Sequence, residues 1–372
     1  MKFSVQQEDL AHGLRTVGRA VATRTTLPIL SGVLVETNES YLRLAATDLE
    51  ISIEAFVPAS IERSGAIVLP AHYFAEIVHR LPGGTVEVEV QPDQYTVQIR
   101  WQRSQFMIHG SAPDQFPALP TAGGEPELVF RPELLRELIR QTMFAVSSDE
   151  TRPMLTGVQL NLTADTAYAI ATDGFRIAYR QGKLLEQGTV EETLSLVIPG
   201  RALRELNRLL AAASASGDLF LDKNQVAFKI GETRFFSRLL EGEYPRVLEL
   251  IPREYGTILV LSTQEFHDAC ERAALISDSR QRSQAIKLEI RENTLIITSN
   301  APDVGQVYEE LAAEVEGDGL TIAFNARFLI EGLRQIDTEQ VRFDISGPLS
   351  PSRLSPVGHS DFFYVVLPMR NA

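Results

Sequence analysis

Apolar and polar residues alternate through much of the chain. Thr85-Val86-Glu87-Val88-Glu89-Val90 has the period of two expected of a strand with one face in a core and one in water. Ile286-Lys287-Leu288-Glu289-Ile290 and Leu295-Ile296-Ile297 read as a hairpin turned by Arg291-Glu292-Asn293-Thr294. Elsewhere the period lengthens, and Leu134, Leu138 and Ile139 fall on one helical face. Helices are predicted over 5–21, 71–81, 131–148, 200–212, 264–276 and 326–336. Segments of both periods occur together in each part of the chain, which predicts α+β structure.

The pattern recurs at a fixed offset. Shifted by 125 residues, Glu8 falls on Glu133, Leu10 on Leu135, Ala20 on Ala145, Pro28 on Pro153, Leu30 on Leu155, Gly32 on Gly157 and Val33 on Val158. Ala46-Thr47-Asp48 falls on Ala171-Thr172-Asp173, and no gap is needed. A strand-then-helix unit occurs three times, with Val68-Leu69-Pro70, Val197-Ile198-Pro199 and Ala323-Phe324-Asn325 each preceding a predicted helix. Phe116 through Gly124 and Tyr244 through Pro252 have the Pro-rich or Gly-rich composition of linkers. Three similar domains of about 125 residues follow, with bounds expected at 1–122, 128–250 and 257–372.

Length and composition agree with this. The chain has 372 residues, more than one core usually organises, and 44% of them are hydrophobic. The single cysteine, Cys270, excludes an internal disulfide framework and a Cys-built metal cage. Met1-Lys2-Phe3-Ser4 leads into charged residues without an apolar leader, and no run of about eighteen apolar residues occurs. A cytoplasmic protein that does not enter a membrane is expected.

The net charge of −14 argues against binding nucleic acid by wholesale phosphate neutralisation. Any such contact needs a local positive surface. The predicted helices, which carry Arg15, Arg19, Arg80, Arg140, Arg204 and Arg208 among others, sum to +2, leaving −16 for everything else. Plain solvation of helix faces produces charge of this kind too. Repeated domains can also bury their open strand edges by joining edge to edge in a closed ring. Helices would then line one side, giving a mildly positive bore inside an acidic body.

Enzymatic constellations are sparse. His267, Cys270 and Glu271 share a helix but lack further ligands or an orienting group, and a lone cysteine is usually a small buried hydrophobe. There is no G-x-x-x-x-G-K-[ST], G-x-S-x-G or H-E-x-x-H motif. Glu87 and Glu89 sit on a strand's solvent face. The competing non-enzymatic reading is a multi-domain scaffold that never touches DNA.

Thr26-Leu27-Pro28-Ile29-Leu30-Ser31-Gly32-Val33, Ala171-Thr172-Asp173-Gly174-Phe175-Arg176 and Tyr364-Val365-Val366-Leu367-Pro368-Met369-Arg370 resemble the bacterial DNA polymerase III beta subunit, or sliding clamp, family. The resemblance runs the length of the chain. It implies the DNA clamp fold: three similar α+β domains per chain, closing head to tail as a homodimeric ring of six domains, helices lining the bore and sheets outside. It also implies a processivity factor without catalytic activity or cofactor, which encircles duplex DNA whatever its sequence. The implied partners are the DNA polymerase catalytic subunit, the clamp loader, translesion polymerases, mismatch-repair proteins and ligase, all docking through short clamp-binding peptides.

By the same resemblance, those peptides enter an apolar pocket between domains two and three. Its matching positions are Leu155, Thr172, Gly174, Phe175, Arg176, Ile177, Pro245 and Leu250, with Asn325, Phe328, Leu349, Val365, Val366, Leu367, Pro368, Met369 and Arg370 from the third domain. DNA contact is implied for Arg24, for the loop Ser148-Asp149-Glu150-Thr151-Arg152 and for Arg201, and the dimer seam for Phe106, Ile108, Leu275 and Ile276. The chain departs from many relatives at Ala71-His72, at Gln281 and in the tail Asn371-Ala372.

Two features bear on the pocket without the resemblance. Thr-Asp occurs at 47–48 and at 172–173, but Gly174-Phe175-Arg176 follows only the second copy, so the shared pair reads as structural. An Asp-Gly turn also accounts for the glycine. Val365 through Met369 form an apolar stretch at a place where chains are usually polar. A core strand explains it as far as Pro368, while Met369 fits a surface that accepts several peptides.

Overall fold

Val86 and Val88 are buried while Thr85 and Glu87 face solvent, as the alternation requires, in the strand Thr85–Val90. The computed structural model describes residues 1–91, 95–121, 123–184, 193–213, 215–276 and 284–370. Its α-helices are α1 (Gln7–Val17), α2 (Ala71–Arg80), α3 (Pro132–Met143), α4 (Gly200–Leu210), α5 (Thr263–Leu275) and α6 (Ala326–Leu333). None of the described helices is long and apolar enough to cross a membrane.

Several helices are shorter than predicted, for identifiable reasons. Val5 and Gln6 end the strand Lys2–Gln6, where Val5 pairs with Val86. Pro132 opens α3, leaving Arg131 outside it. After Met143 the bonds tighten, Ala145 to Thr142 and Val146 to Met143, and the helix stops. Arg334 caps α6 rather than extending it. Within the observed bounds α4 carries +2, α5 −2, α1 −1 and the other three zero, so the helices sum to −1 and not +2. They are far less acidic than the remaining chain, but they are not net cationic.

The described residues fall into two compact units, one holding Met1–Leu135 and Arg201–Leu239, the other Arg136–Leu184 with residues 193–200 and 240–370. The first unit contains a five-stranded sheet, ordered Ser60–Arg63, Lys2–Gln6, Thr85–Val90, Thr96–Trp101, Ser104–His109. Its second sheet has eight strands. In the other unit a nine-stranded sheet lies with a four-stranded one.

The larger sheets are made by joining repeats at their edges. Thr233–Arg238 runs antiparallel to Ile51–Pro58, with Phe236 opposite Ser52. Arg176–Lys183 runs antiparallel to Phe362–Val366, with Ile177 opposite Val365. Ser52 and Ile177 are 125 residues apart, so the two joints use the same position of the repeat. The middle repeat is thereby divided between the units. Ser104–His109 and Gly305–Ala312 are outermost strands of their sheets.

Large aromatics fill the cores: Phe3 and Phe74 behind the first repeat, Phe228 and Phe235 behind the second, and Phe266, Phe324, Phe343, Phe362 and Tyr364 in the third. The linker compositions hide anchors. Phe116 is buried with Leu34, Ala45 and Val68, and Tyr244 and Val247 are buried with Ile170, Ile177, Val197 and Val365. Each linker leaves the repeat pinned to it by an aromatic side chain.

Candidate functional site

The Thr-Asp pair builds the same turn twice. In the first copy Thr47 Oγ1 donates to the Ile51 carbonyl at 2.9 Å and accepts from Leu49 N at 3.0 Å. In the second, Thr172 Oγ1 donates to the Arg176 carbonyl at 2.6 Å and accepts from Gly174 N at 3.1 Å. The shared residues are structural, as their recurrence suggests. What differs is the residue after the turn.

Arg176 is 5% exposed and fully engaged. Its Nε donates to Asp173 Oδ2 at 2.9 Å, its Nη1 to Glu331, and its Nη2 to the Phe144 carbonyl at 2.8 Å. The guanidinium lies 4.6 Å from the Phe328 ring centre. Burial works against its charge, but Tyr364, Glu331 and Asp173 more than offset that and hold its pKa above the ordinary value. Burial likewise raises the Glu331 carboxyl, yet hydrogen bonds from Arg327 and Arg176 prevail and its pKa is lowered.

This buried arginine fixes an apolar surface around itself. Phe175, 57% exposed, stacks on Phe328 with ring centres 6.5 Å apart. Phe175 O accepts from Leu367 N at 2.9 Å, and Met369 N donates to Ala323 O at 2.8 Å, so the tail beyond the last strand is tied down. Beneath lie Ile177 and Val365, packed with Tyr244 and Val247 and flanked by Met154 and Ile251. Leu250 and Leu349 stand largely exposed and Leu367 partly so. An apolar floor with exposed apolar residues nearby suits an incoming apolar side chain.

Other predicted pocket residues have different duties. Thr172 and Val366 are buried, the first in the turn and the second opposite Arg176 in the sheet. Asn325 caps α6, accepting from Arg327 N at 3.1 Å. Leu155 and Pro368 are half-buried, and Pro245 and Arg370 are exposed. A side chain at Gly174, where φ is +92°, would meet Arg152 Nη1 at 3.2 Å. Met154, Val247 and Ile251 were missed. The repeat could have found Met154: its counterpart 125 residues earlier, Ile29, packs on the first-copy cluster of Leu34, Ala45, Val68 and Phe116.

The arginines assigned to DNA are differently committed. Arg24 is exposed in the bend before Pro28 and makes no ion pair among the described residues. Arg152 Nε lies 3.3 Å from Asp149 Oδ2. Hydrogen bonds from Thr151 hold the Asp149 carboxyl below its usual range. Arg201 pairs with Asp48. Of the seam residues, Phe106 and Ile108 are half-buried on the outermost strand Ser104–His109, Leu275 is 81% exposed at the end of α5, and Ile276 caps it. Ala71 is buried and His72 exposed at the start of α2. Gln281, Asn371 and Ala372 lie outside the described residues.

The enzymatic cluster resolves into an ion-pair network. Cys270 is fully buried, and burial pushes its thiol up. His267 lies 3.1 Å from Asp268 through Nδ1 and 3.7 Å from Glu271 through Nε2. Arg334 Nε approaches His267 Nε2 at 3.2 Å, and its Nη2 binds Glu271. A guanidinium thus stands among the groups that would have to hold a cation.

Three family models match in succession: DNA polymerase III beta subunit, N-terminal domain, over residues 1–120; central domain, over 130–246; and C-terminal domain, over 248–370. The beta sliding clamp of Bacillus subtilis (strain 168) is 35% identical, with all of both chains covered. The crystal structure of the Bacillus subtilis DNA polymerase sliding clamp superimposes with a TM-score of 0.96 over the whole of both chains, again at 35% identity. A Pseudomonas aeruginosa sliding clamp solved bound to griselimycin has a TM-score of 0.93 at 30% identity, covering 100% of this chain and 99% of that one.

Proposed function

The chain belongs to the DNA polymerase III beta-subunit family, and we propose that it works as that family's sliding clamp, a non-catalytic ring that encircles duplex DNA and keeps a polymerase on it. The clamp domains are taken as 1–122, 128–250 and 257–372. Two copies of the chain close head to tail with their helices toward the duplex.

The observation that carries this reading is the repeated joint. Within one chain the same repeat position is used twice to fuse sheets edge to edge, at Ser52 with Phe236 and at Ile177 with Val365. A third use of the same principle needs a second copy. Ser104–His109 and Gly305–Ala312 are outermost strands that a partner can extend. Phe106 and Ile108 on the first, and Leu275 and Ile276 beside the second, supply apolar contact at that seam.

Polymerases, the clamp loader, repair proteins and ligase are taken to dock by short peptides on the surface around Phe175, Leu250, Leu367 and Met369. Arg24, Arg152 and Arg201 touch phosphates without reading bases. The place of work is the cytoplasm, since duplex DNA is the track. Sedimentation of the purified protein tests the ring: a dimer is expected, reduced to monomers by Ile108→Lys together with Leu275→Lys. A wild-type monomer at micromolar concentration contradicts it.

A further inference from the structure

Asp48 and Asp173 hold the same place in the first two repeats and divide their oxygens in the same way. Oδ1 serves the turn. It accepts from Glu50 N at 3.0 Å and Ile51 N at 2.9 Å in the first copy, and from Phe175 N at 2.9 Å and Arg176 N at 3.2 Å in the second. Oδ2 takes an arginine. For Asp173 this is the neighbouring Arg176, which is buried. For Asp48 it is Arg201, reaching over from α4 in the next repeat.

The two arginines differ in access. Arg176 is closed off by Glu331 and Phe328, whereas the Arg201 side chain is 58% exposed even while paired. Arg201 is the second residue of α4, and no acidic residue lies in that helix's first turn. A cation at a helix N-terminus opposes the backbone dipole, and an anion there relieves the conflict. The Asp48 carboxylate does so now. A DNA phosphate arriving at Arg201 would do the same, so the two anions compete for one guanidinium.

We propose that Asp48 is a built-in competitor of DNA phosphate at Arg201, which weakens this contact so that the clamp slides instead of gripping. The inference rests on the proposed reading of Arg201 as a DNA contact. Asp48→Asn separates the aspartate's two duties: the amide oxygen still accepts the two N–H groups of the turn, while the charge facing Arg201 is gone. The Asp48 side chain is only 6% exposed, so a phosphate meets the pair from the Arg201 side, and the two N–H groups of the turn go on holding the carboxylate when the guanidinium turns to the phosphate.

The test is direct binding of the whole protein to a short fluorescein-labelled duplex, followed by anisotropy across about 50 to 200 mM salt. Asp48→Asn is expected to tighten binding about two- to fivefold at the low-salt end and to steepen the log–log salt dependence by about one counterion. Arg201→Ala should weaken binding, and the double variant should behave as Arg201→Ala alone. Should Arg201→Ala weaken binding while Asp48→Asn changes nothing, the competitor falls and the Arg201 contact stands. An unaffected Arg201→Ala removes both. Tightening by Asp48→Asn that persists in the Arg201→Ala background reflects net charge alone and overturns the proposal. If the urea midpoint shows Asp48→Asn to be poorly folded, Asp48→Ser, whose hydroxyl also accepts from the turn, repeats the comparison with the same outcomes.

Discussion

Leu49 and Gly174 occupy the same point of the repeat, and both hold a positive φ, 78° and 92°. The hydrogen bonds of the Thr-Asp turn impose this backbone on whichever residue sits there, so the turn by itself does not demand glycine. At 174 the added reason is Arg152, whose Nη1 stands 3.2 Å from where a Cβ would be.

Gly174→Ala should therefore fold, at a cost of about 1 kcal/mol from the left-handed backbone, with Arg152 swinging aside. A urea midpoint shifted by that amount with an unchanged slope is the expected result. Complete unfolding would mean that the space at Gly174, rather than the turn, governs the local structure.

The surface around Leu367 invites a direct binding measurement. A peptide of the type Gln-Leu-x-Leu-Phe should lodge its leucine and phenylalanine over Ile177 and Val365, against Leu367 and Met369. Because a few apolar anchors dominate such contacts, Leu367→Ala with Met369→Ala should lose on the order of 2 kcal/mol or more in calorimetric titration. Full affinity in the folded double variant would move the pocket elsewhere.

Arg176 is expected to matter more for stability than its position beside an exposed phenylalanine suggests. Arg176→Met leaves Glu331 without one of its two arginines and the Phe144 carbonyl without its donor, and should cost about 3 kcal/mol. The pH dependence has a definite sign. The Glu331 pKa is lowered in the folded protein from its ordinary 4.5, so its contribution is complete above that value and is lost as pH falls through the folded pKa. Glu331→Gln should be less stable than wild type at neutral pH and show a smaller loss on acidification. Parallel acid profiles for the two proteins would contradict the pairing.

Much of this was legible in the sequence. Strand alternation, the strand-then-helix units and the 125-residue offset are local or periodic signals, and each has a physical cause that acts within a few residues. The hairpin at 285–301 turns at Glu292 and Asn293 as its pattern indicates. The joints were not legible: nothing near Ile177 announces that it faces Val365, nearly two hundred residues away, because strand partners are chosen by three-dimensional packing. Helix ends were overrun for a related reason. At 5–6 a strand partner outcompeted the helix, and at 144–148 tight turns replaced it. The apparent positive charge of the helices was lost at other ends, where Arg19, Arg131 and Arg334 fall outside the α-helices. The pairing of Arg201 with Asp48 was equally hidden, although the repeat had already singled out Asp48.

With helices that sum to −1 and a chain at −14, direct attraction for DNA should be weak and should fade with salt. Under the proposed ring, retention is topological. The decisive measurement is to load the protein on nicked circular DNA, raise the salt moderately while the dimer stays intact, and then linearise half the sample. The clamp should stay on the circle and run off the cut ends. Equal loss from circle and line, in step with salt, would identify an ordinary electrostatic binder and contradict the ring.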